Sequence, residues 1–271
     1  MPKNVLVVGM PRSGTSMTAS IFANNGYFVA EDKDKELRSG DEYNPSGYWE
    51  AETLIQSNAE IFSAAGFKYD NTWLYDSISN EQAAAIFTLQ QSTNHQELVH
   101  KFNQQSPWIW KDPRLCYTLG YWWPLLDAST TGVLFLKREP KEIYNSFIRL
   151  KWRSISLKDK DDVLSRIQKH LDATEIALKK YNIPHIIIHY SDYKEQPEKT
   201  VNKLNSFFDL NLNKDDLGYQ HKYNSLSFQG AILRTTNKVG DFLPSNIRTV
   251  IKKIIPTFIW KLINPHRYYK K

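Results

Sequence analysis

Cysteine is nearly missing from this chain: Cys116 is the only one in 271 residues, which rules out an internal disulfide framework and makes a reducing compartment the expectation. No apolar run approaches the roughly 20 residues needed to span a bilayer, so no transmembrane segment is expected. Nothing resembling a secretion signal precedes Val5, and a cytoplasmic location is the expectation. No Ser/Gly/Pro linker and no internal repeat divides the sequence, so a single domain over 1–271 is expected. The seven histidines are scattered; His185 and His189 share a strand face, but two imidazoles without partner carboxylates or thiols seldom hold a metal, and none is expected.

What is present begins with charge and apolar content. Lys and Arg outnumber Asp and Glu by 35 to 29, a net charge of +6 that suits an anionic ligand. Those cations are spread along the chain rather than clustered, which speaks against nucleic acid as the partner. With 41% hydrophobic residues the chain can bury a substantial core. Apolar runs at 4–8, 107–111, 131–137 and 185–190 read as strands. Helical patterns fall near 15–26, 50–65, 80–104, 115–127, 140–151, 159–182 and 195–208. Strands alternating with helices predict an α/β domain with a central parallel sheet covered on both faces. Ligands of such sheets bind beyond the carboxyl ends of the strands.

The first strand runs into Gly9-Met10-Pro11-Arg12-Ser13-Gly14-Thr15-Ser16 and then into helix. Backbone N–H groups at such a turn and at the helix start converge on one point, and the helix dipole adds partial positive charge there, so the segment is a phosphate cradle. Gly9-x-x-x-x-Gly14 fits the opening of the nucleotide-triphosphate loop GxxxxGK[ST], but Thr15 stands where that loop carries lysine. The cation that clamps a triphosphate is therefore missing. Arg12 inside the loop and the hydroxyls of Thr15 and Ser16 suit a single terminal phosphate without metal. A tight strand-to-helix turn that binds nothing is the plainer reading.

Three further strand ends carry chemistry. After the third run come Arg138 and, eight residues on in a helical pattern, Ser146. A guanidinium grips phosphate through a permanently charged fork and a hydroxyl adds a donor, although either could be ordinary surface or helix filler. The fourth run ends in Tyr190-Ser191-Asp192, with Pro197 beyond; Tyr190 is either a ligand-facing aromatic or core packing. The second run ends in Trp110-Lys111-Asp112-Pro113-Arg114. Upstream, Asn44-Pro45-Ser46-Gly47 is a turn signal, and Tyr48, Trp49 and Glu50 lead into the helical pattern. Glu50 can be a general base or a first-turn helix acid, with Asp112, Glu42 and Asp41 as the other carboxylates available.

Taken together, these segments, in order over roughly 5–210, resemble the sulfotransferase family that uses 3′-phosphoadenosine 5′-phosphosulfate. The resemblance implies transfer of a sulfuryl group to a hydroxyl or amine, leaving adenosine 3′,5′-bisphosphate. It implies that Pro11, Arg12, Ser13, Gly14, Thr15 and Ser16 hold the 5′-phosphosulfate, Arg138 and Ser146 the 3′-phosphate, and Tyr190 the adenine. Lys111 matches the family's catalytic lysine. Pro113 stands where the cytosolic branch has its catalytic histidine, so the chain is closer to branches acting on carbohydrates, which take a glutamate from the loop after the first helix. Glu50 is the matching candidate, with Asp112 beside Lys111 as a further catalytic residue. The acceptor is left open. Eight tryptophans and fifteen tyrosines can form stacking surfaces for a sugar, but they also fill cores. A P-loop nucleoside or sugar kinase, and a non-catalytic anion-binding module, are the competing readings.

Two segments complete the inventory. The charged stretch 31–42 is either solvated loop or a lid over the acceptor. The basic, apolar stretch 246–271 either docks on the domain or touches a membrane surface, with Pro256 and Pro265 favouring docking. Just before it, 234–242 faintly resembles a late cofactor loop of the same family.

Overall fold

The computed structural model describes residues 1–40, 44, 47–67, 79–149 and 159–218. Asp41, Glu42, the stretch 234–242 and the segment 246–271 lie outside the described residues.

Four runs rich in β-branched and aromatic residues form the strands β1 (Asn4–Val8), β2 (Ile109–Lys111), β3 (Thr131–Lys137) and β4 (His185–His189). All pair in parallel, in the order β2-β1-β3-β4, with Val7 in register with both Lys111 and Leu134. β1 is buried along its whole length, and its side chains alternate between two cores. Leu6 and Val8 enter one core with Phe62, Trp110, Trp122, Phe147 and Ile167. Val5 and Val7 enter the other with Ile21, Phe22, Leu204 and Phe208. Helices therefore cover both faces of a parallel sheet, as the alternating pattern predicts. Trp108, Trp110 and Trp122 are almost entirely buried, so these aromatics are core, not stacking surface.

The chain leaves β1 to one side for β2 and crosses to the other side for β3. β1 and β3 thus flank the point where the winding direction reverses, the position at which open α/β sheets bind ligands. The segments after β1, β2, β3 and β4 all open at that edge.

Helix boundaries depart from the sequence expectation in specific places. The single helix expected near 80–104 is two, Asn80–Ile86 and Thr93–Asn103. Ser79 and Gln82 form a capping box on the first, and Ser92 accepts from the His95 N–H to start the second. Between them Phe87 fills the space a Cβ on Gly120 would take, 2.3 Å away, and stacks on Tyr181. The expected helix at 115–127 stops at Trp122 and tightens into a 3-10 turn with Pro124 near its start. The stretch 31–40 is more than loop: a short helix, Lys33–Glu36, is capped by Asp32, and Leu37 pairs with Ala51 in an antiparallel bridge. The helix expected from residue 50 begins at Glu52, with Ala51 as its N-cap. Glu50 is therefore not a first-turn acid.

No described helix is long and apolar enough to cross a membrane.

Candidate functional site

The loop after β1 is shaped by close packing and by two left-handed residues. A Cβ at Gly9 would lie 2.7 Å from the Leu136 carbonyl of β3, so only glycine allows this approach. Arg12 has φ +69° and Gly14 φ +93°. Gly14 precedes the helix Thr15–Asn24, whose first turn has neither a side-chain cap nor an acidic residue. Its leading N–H groups thus lack the usual side-chain acceptor. Ser13 is completely buried and its Oγ has no hydrogen-bond partner among the described residues. A buried, orphaned hydroxyl beside uncapped helix N–H groups fits an anionic ligand and nothing apolar. Thr18 and Tyr193 share a buried hydrogen bond of 2.8 Å, which fastens this helix to the segment after β4.

The ends of β3 and β4 close on the same loop. Arg138 donates from Nη1 to the Arg12 carbonyl at 2.9 Å, and its guanidinium lies 4.3 Å from the centroid of the Tyr190 ring. Arg12 donates from Nε to Ser146 Oγ at 3.3 Å; Ser146 is 2% exposed on the helix Pro140–Arg149. Tyr190 packs flat enough on Gly14 that a Cβ there would sit 2.4 Å from the ring. Arg12, Arg138, Ser146 and Tyr190, distant in sequence, form one basic wall around the cradle.

The end of β2 supplies the opposite side. Lys111 and Glu50 are each 3% exposed and form an ion pair between Nζ and Oε1. The same Nζ donates to Ser16 Oγ at 3.3 Å, so Lys111 joins the cradle to the carboxylate. Arg38 Nη1 lies 3.5 Å from the other oxygen, Glu50 Oε2. Trp49, at φ +56°, makes the bend just before Glu50, and such a conformation in a bulky residue stores strain of order 1 kcal/mol or more.

Asp112 is differently placed. One oxygen accepts from the Arg114 backbone N–H at 2.9 Å and from Arg114 Nη1 at 3.1 Å, and the other accepts from Asn58 at 3.0 Å. Asn58 in turn accepts from Thr118 at 2.7 Å and from the Trp122 indole at 2.8 Å. Both oxygens of this 1%-exposed carboxylate are taken up in fixing the turn after Lys111.

Sequence reasoning missed Arg38 and Asn58, and named Tyr48 only as part of the aromatic turn before Glu50. Asn58 carried a signal: it sits four residues after Leu54 and three before Ile61, on the apolar face of its helix, where a polar side chain needs a buried partner. Arg38 was not singled out by itself, although its stretch, 31–42, reads either as solvated loop or as a lid over the acceptor. Cys116 lies beneath the loop, where burial pushes its thiol up to about 12, so it is no nucleophile at neutral pH. Among the described residues no group of three His, Cys, Asp or Glu could hold a metal.

The arrangement can therefore hold an anion at the β1 loop, stabilise negative charge with a buried lysine at its rim, and take up a proton on an adjacent carboxylate. The model of the sulfotransferase family (Sulfotransfer_3) matches residues 2–214. Among solved structures, a sulfotransferase domain from the curacin biosynthetic pathway is 16% identical, covering 85% of this chain and 82% of that one, with a TM-score of 0.49. The sulfotransferase domain of the Synechococcus PCC 7002 olefin synthase is 15% identical over 83% of this chain and 80% of its own, with a TM-score of 0.47. Sulfotransferase STF1 from Mycobacterium tuberculosis H37Rv is 14% identical over 82% and 72%, with a TM-score of 0.46. No curated protein matches the sequence.

Proposed function

The chain belongs to the sulfotransferase family, and we propose that it moves a sulfuryl group from 3′-phosphoadenosine 5′-phosphosulfate to a hydroxyl or amine of an acceptor, a carbohydrate being one candidate class. The observation that carries this reading is the position of Lys111, whose Nζ touches both Ser16 of the cradle and the buried carboxylate of Glu50. The donor supplies an activated sulfuryl group; the chain's residues bind it, neutralise charge and accept the proton.

In this reading the backbone N–H groups of Gly14 to Ser16, with the orphaned Ser13 hydroxyl, hold the 5′-phosphosulfate, while the Ser13 N–H, bonded to the Met10 carbonyl, and Pro11 and Arg12 shape the loop around it. Arg138 and Ser146 take the 3′-phosphate, and Tyr190, already against Gly14 and Arg138, takes the adenine. As the bond between sulfur and the bridging oxygen breaks, Lys111 stabilises the negative charge that develops on the departing phosphate. As the acceptor oxygen bonds to sulfur, Glu50 takes its proton. Positioning and charge stabilisation carry such a loose, in-line transfer. Asp112, with both oxygens engaged, is assigned the positioning of Lys111 rather than proton transfer.

Calorimetry separates this from the kinase and the inert module. Adenosine 3′,5′-bisphosphate is expected to bind with at least about tenfold higher affinity than ATP with magnesium, a difference of about 1.4 kcal/mol. Preference for ATP–magnesium overturns the reading.

Arg138 provides a sharper check on the nucleotide's orientation. Arg138→Ala is expected to weaken adenosine 3′,5′-bisphosphate by about 2 kcal/mol, the loss of a charge-assisted contact, and to affect adenosine 5′-monophosphate far less. Equal losses for the two nucleotides would remove the 3′-phosphate from this wall.

A further inference from the structure

Glu50 is claimed by two cations, one on each oxygen, and the second has no place in the reaction described above. Lys111 holds Oε1 and is as buried as Glu50 itself. Arg38 holds Oε2 from a side chain that is 52% exposed, at 3.5 Å, longer than the roughly 2.7–2.9 Å of a mature charge-assisted contact. Its attachment is nonetheless specific. The Arg38 N–H donates to the Glu50 carbonyl at 3.1 Å, the Tyr48 N–H donates to the Arg38 carbonyl at 3.4 Å, and the neighbouring Leu37 is bridged to Ala51. The guanidinium lies 4.2 Å from the centroid of the Tyr48 ring, a cation–π geometry that fixes it over the carboxylate.

The placement matters because Lys111 has two tasks that cannot be performed at once. While it pairs with Glu50 it neutralises a buried carboxylate. When a phosphate enters the cradle beside Ser16, the same ammonium is drawn to the phosphate. A carboxylate this buried is destabilised if its only cation leaves. We infer that Arg38 is a positioning residue that takes over Glu50 when Lys111 turns to the nucleotide, holding Oε2 so that Oε1 is freed for the acceptor. Nucleotide binding is then linked to Arg38 through Glu50, with no contact between Arg38 and the nucleotide. This inference rests on the sulfotransferase reading of the site.

The linkage predicts a thermodynamic signature independent of turnover. Calorimetric titration of the full chain with adenosine 3′,5′-bisphosphate is expected to show Arg38→Ala binding about tenfold more weakly than the parent, within the range of typical coupling between sites. Arg38→Lys restores most of the affinity, because a cation again faces Oε2. Glu50→Gln does not weaken the nucleotide, since a neutral amide no longer holds Lys111. In the Glu50→Gln background, Arg38→Ala has no further effect.

A loss in Arg38→Ala that persists undiminished with Glu50→Gln overturns the inference, as it marks direct contact or general loosening of 31–40. An Arg38→Ala affinity equal to the parent's overturns it as well. If the parent itself fails to bind the bisphosphate, the functional reading falls first and the inference with it, an outcome distinct from either of the others.

Discussion

Lys111→Met is expected to lower turnover about 10³-fold, near the upper end of what one preorganised charge-stabilising group contributes. Lys111 ends β2 in register with Val7, and its Nζ reaches past the sheet edge to Ser16 and Glu50. Methionine keeps nearly the same length and apolar stem, so the packing around the strand end is retained while the charge is removed. Two consequences follow and are separately measurable. In a single-turnover assay the chemical step is expected to slow, because the charge developing on the departing phosphate is no longer faced by the Lys111 ammonium. In a thermal melt, Glu50 is left with Arg38 alone, and unpairing a buried ion pair destabilises by about 3–5 kcal/mol when nothing replaces it. The Arg38 contact reduces that figure, so a melt shifted by several degrees with the fold intact is the expected result. Lys111→Arg is not expected to rescue turnover, because a planar fork cannot occupy the place of a compact ammonium between a hydroxyl and a carboxylate. Turnover within tenfold of the parent in Lys111→Met would take the lysine out of the chemistry.

The placement of these groups explains what could be read from the sequence. β1 and β3 are continuous apolar runs because both of their faces are buried, and such runs are visible without partners. The cradle was legible because its constraints are local: a glycine where β3 comes within 2.7 Å, another at φ +93°, and hydroxyls at the helix start. Arg138 and Ser146 were picked out because their eight-residue spacing matches the family resemblance, and both lie against Arg12 of the loop. The break at 87–92 was not, because the segment keeps a helical composition and is interrupted by Phe87 packing against Gly120, a tertiary contact. The true environment of Glu50 was equally hidden. Its partner Lys111 is 61 residues away, and its second partner lies in a stretch whose composition reads as solvent-exposed. Asp112 illustrates the converse: the motif put it beside the lysine, but the hydrogen bonds from Asn58 and Arg114 that occupy its oxygens depend on the folded turn.

Glu50→Gln is expected to reduce the catalytic rate about 10²–10⁴-fold, the range for a lost general base, without weakening adenosine 3′,5′-bisphosphate. The substitution preserves shape and removes proton affinity, so a loss confined to the chemical step isolates proton transfer from binding. Three structural facts favour Glu50 over its neighbour. Glu50 lies ahead of the helix Glu52–Ala64, and the helix dipole therefore does not account for its presence. Among the described residues its Oε1 pairs with Lys111 alone, the cation that in the proposed reading turns to the nucleotide, whereas both oxygens of Asp112 accept from Asn58 and Arg114 within the folded turn. The bend at Trp49, strained at φ +56°, comes just before Glu50 and leaves this carboxylate buried beside Lys111 at the cradle's rim. Asp112→Asn supplies the comparison. It retains one acceptor oxygen but disturbs the Arg114 contacts, so it is expected to lower stability and to reduce turnover less than Glu50→Gln. Near-normal turnover in Glu50→Gln together with collapse in a folded Asp112→Asn would transfer the proton to Asp112 and leave the buried Lys111–Glu50 pair a structural one.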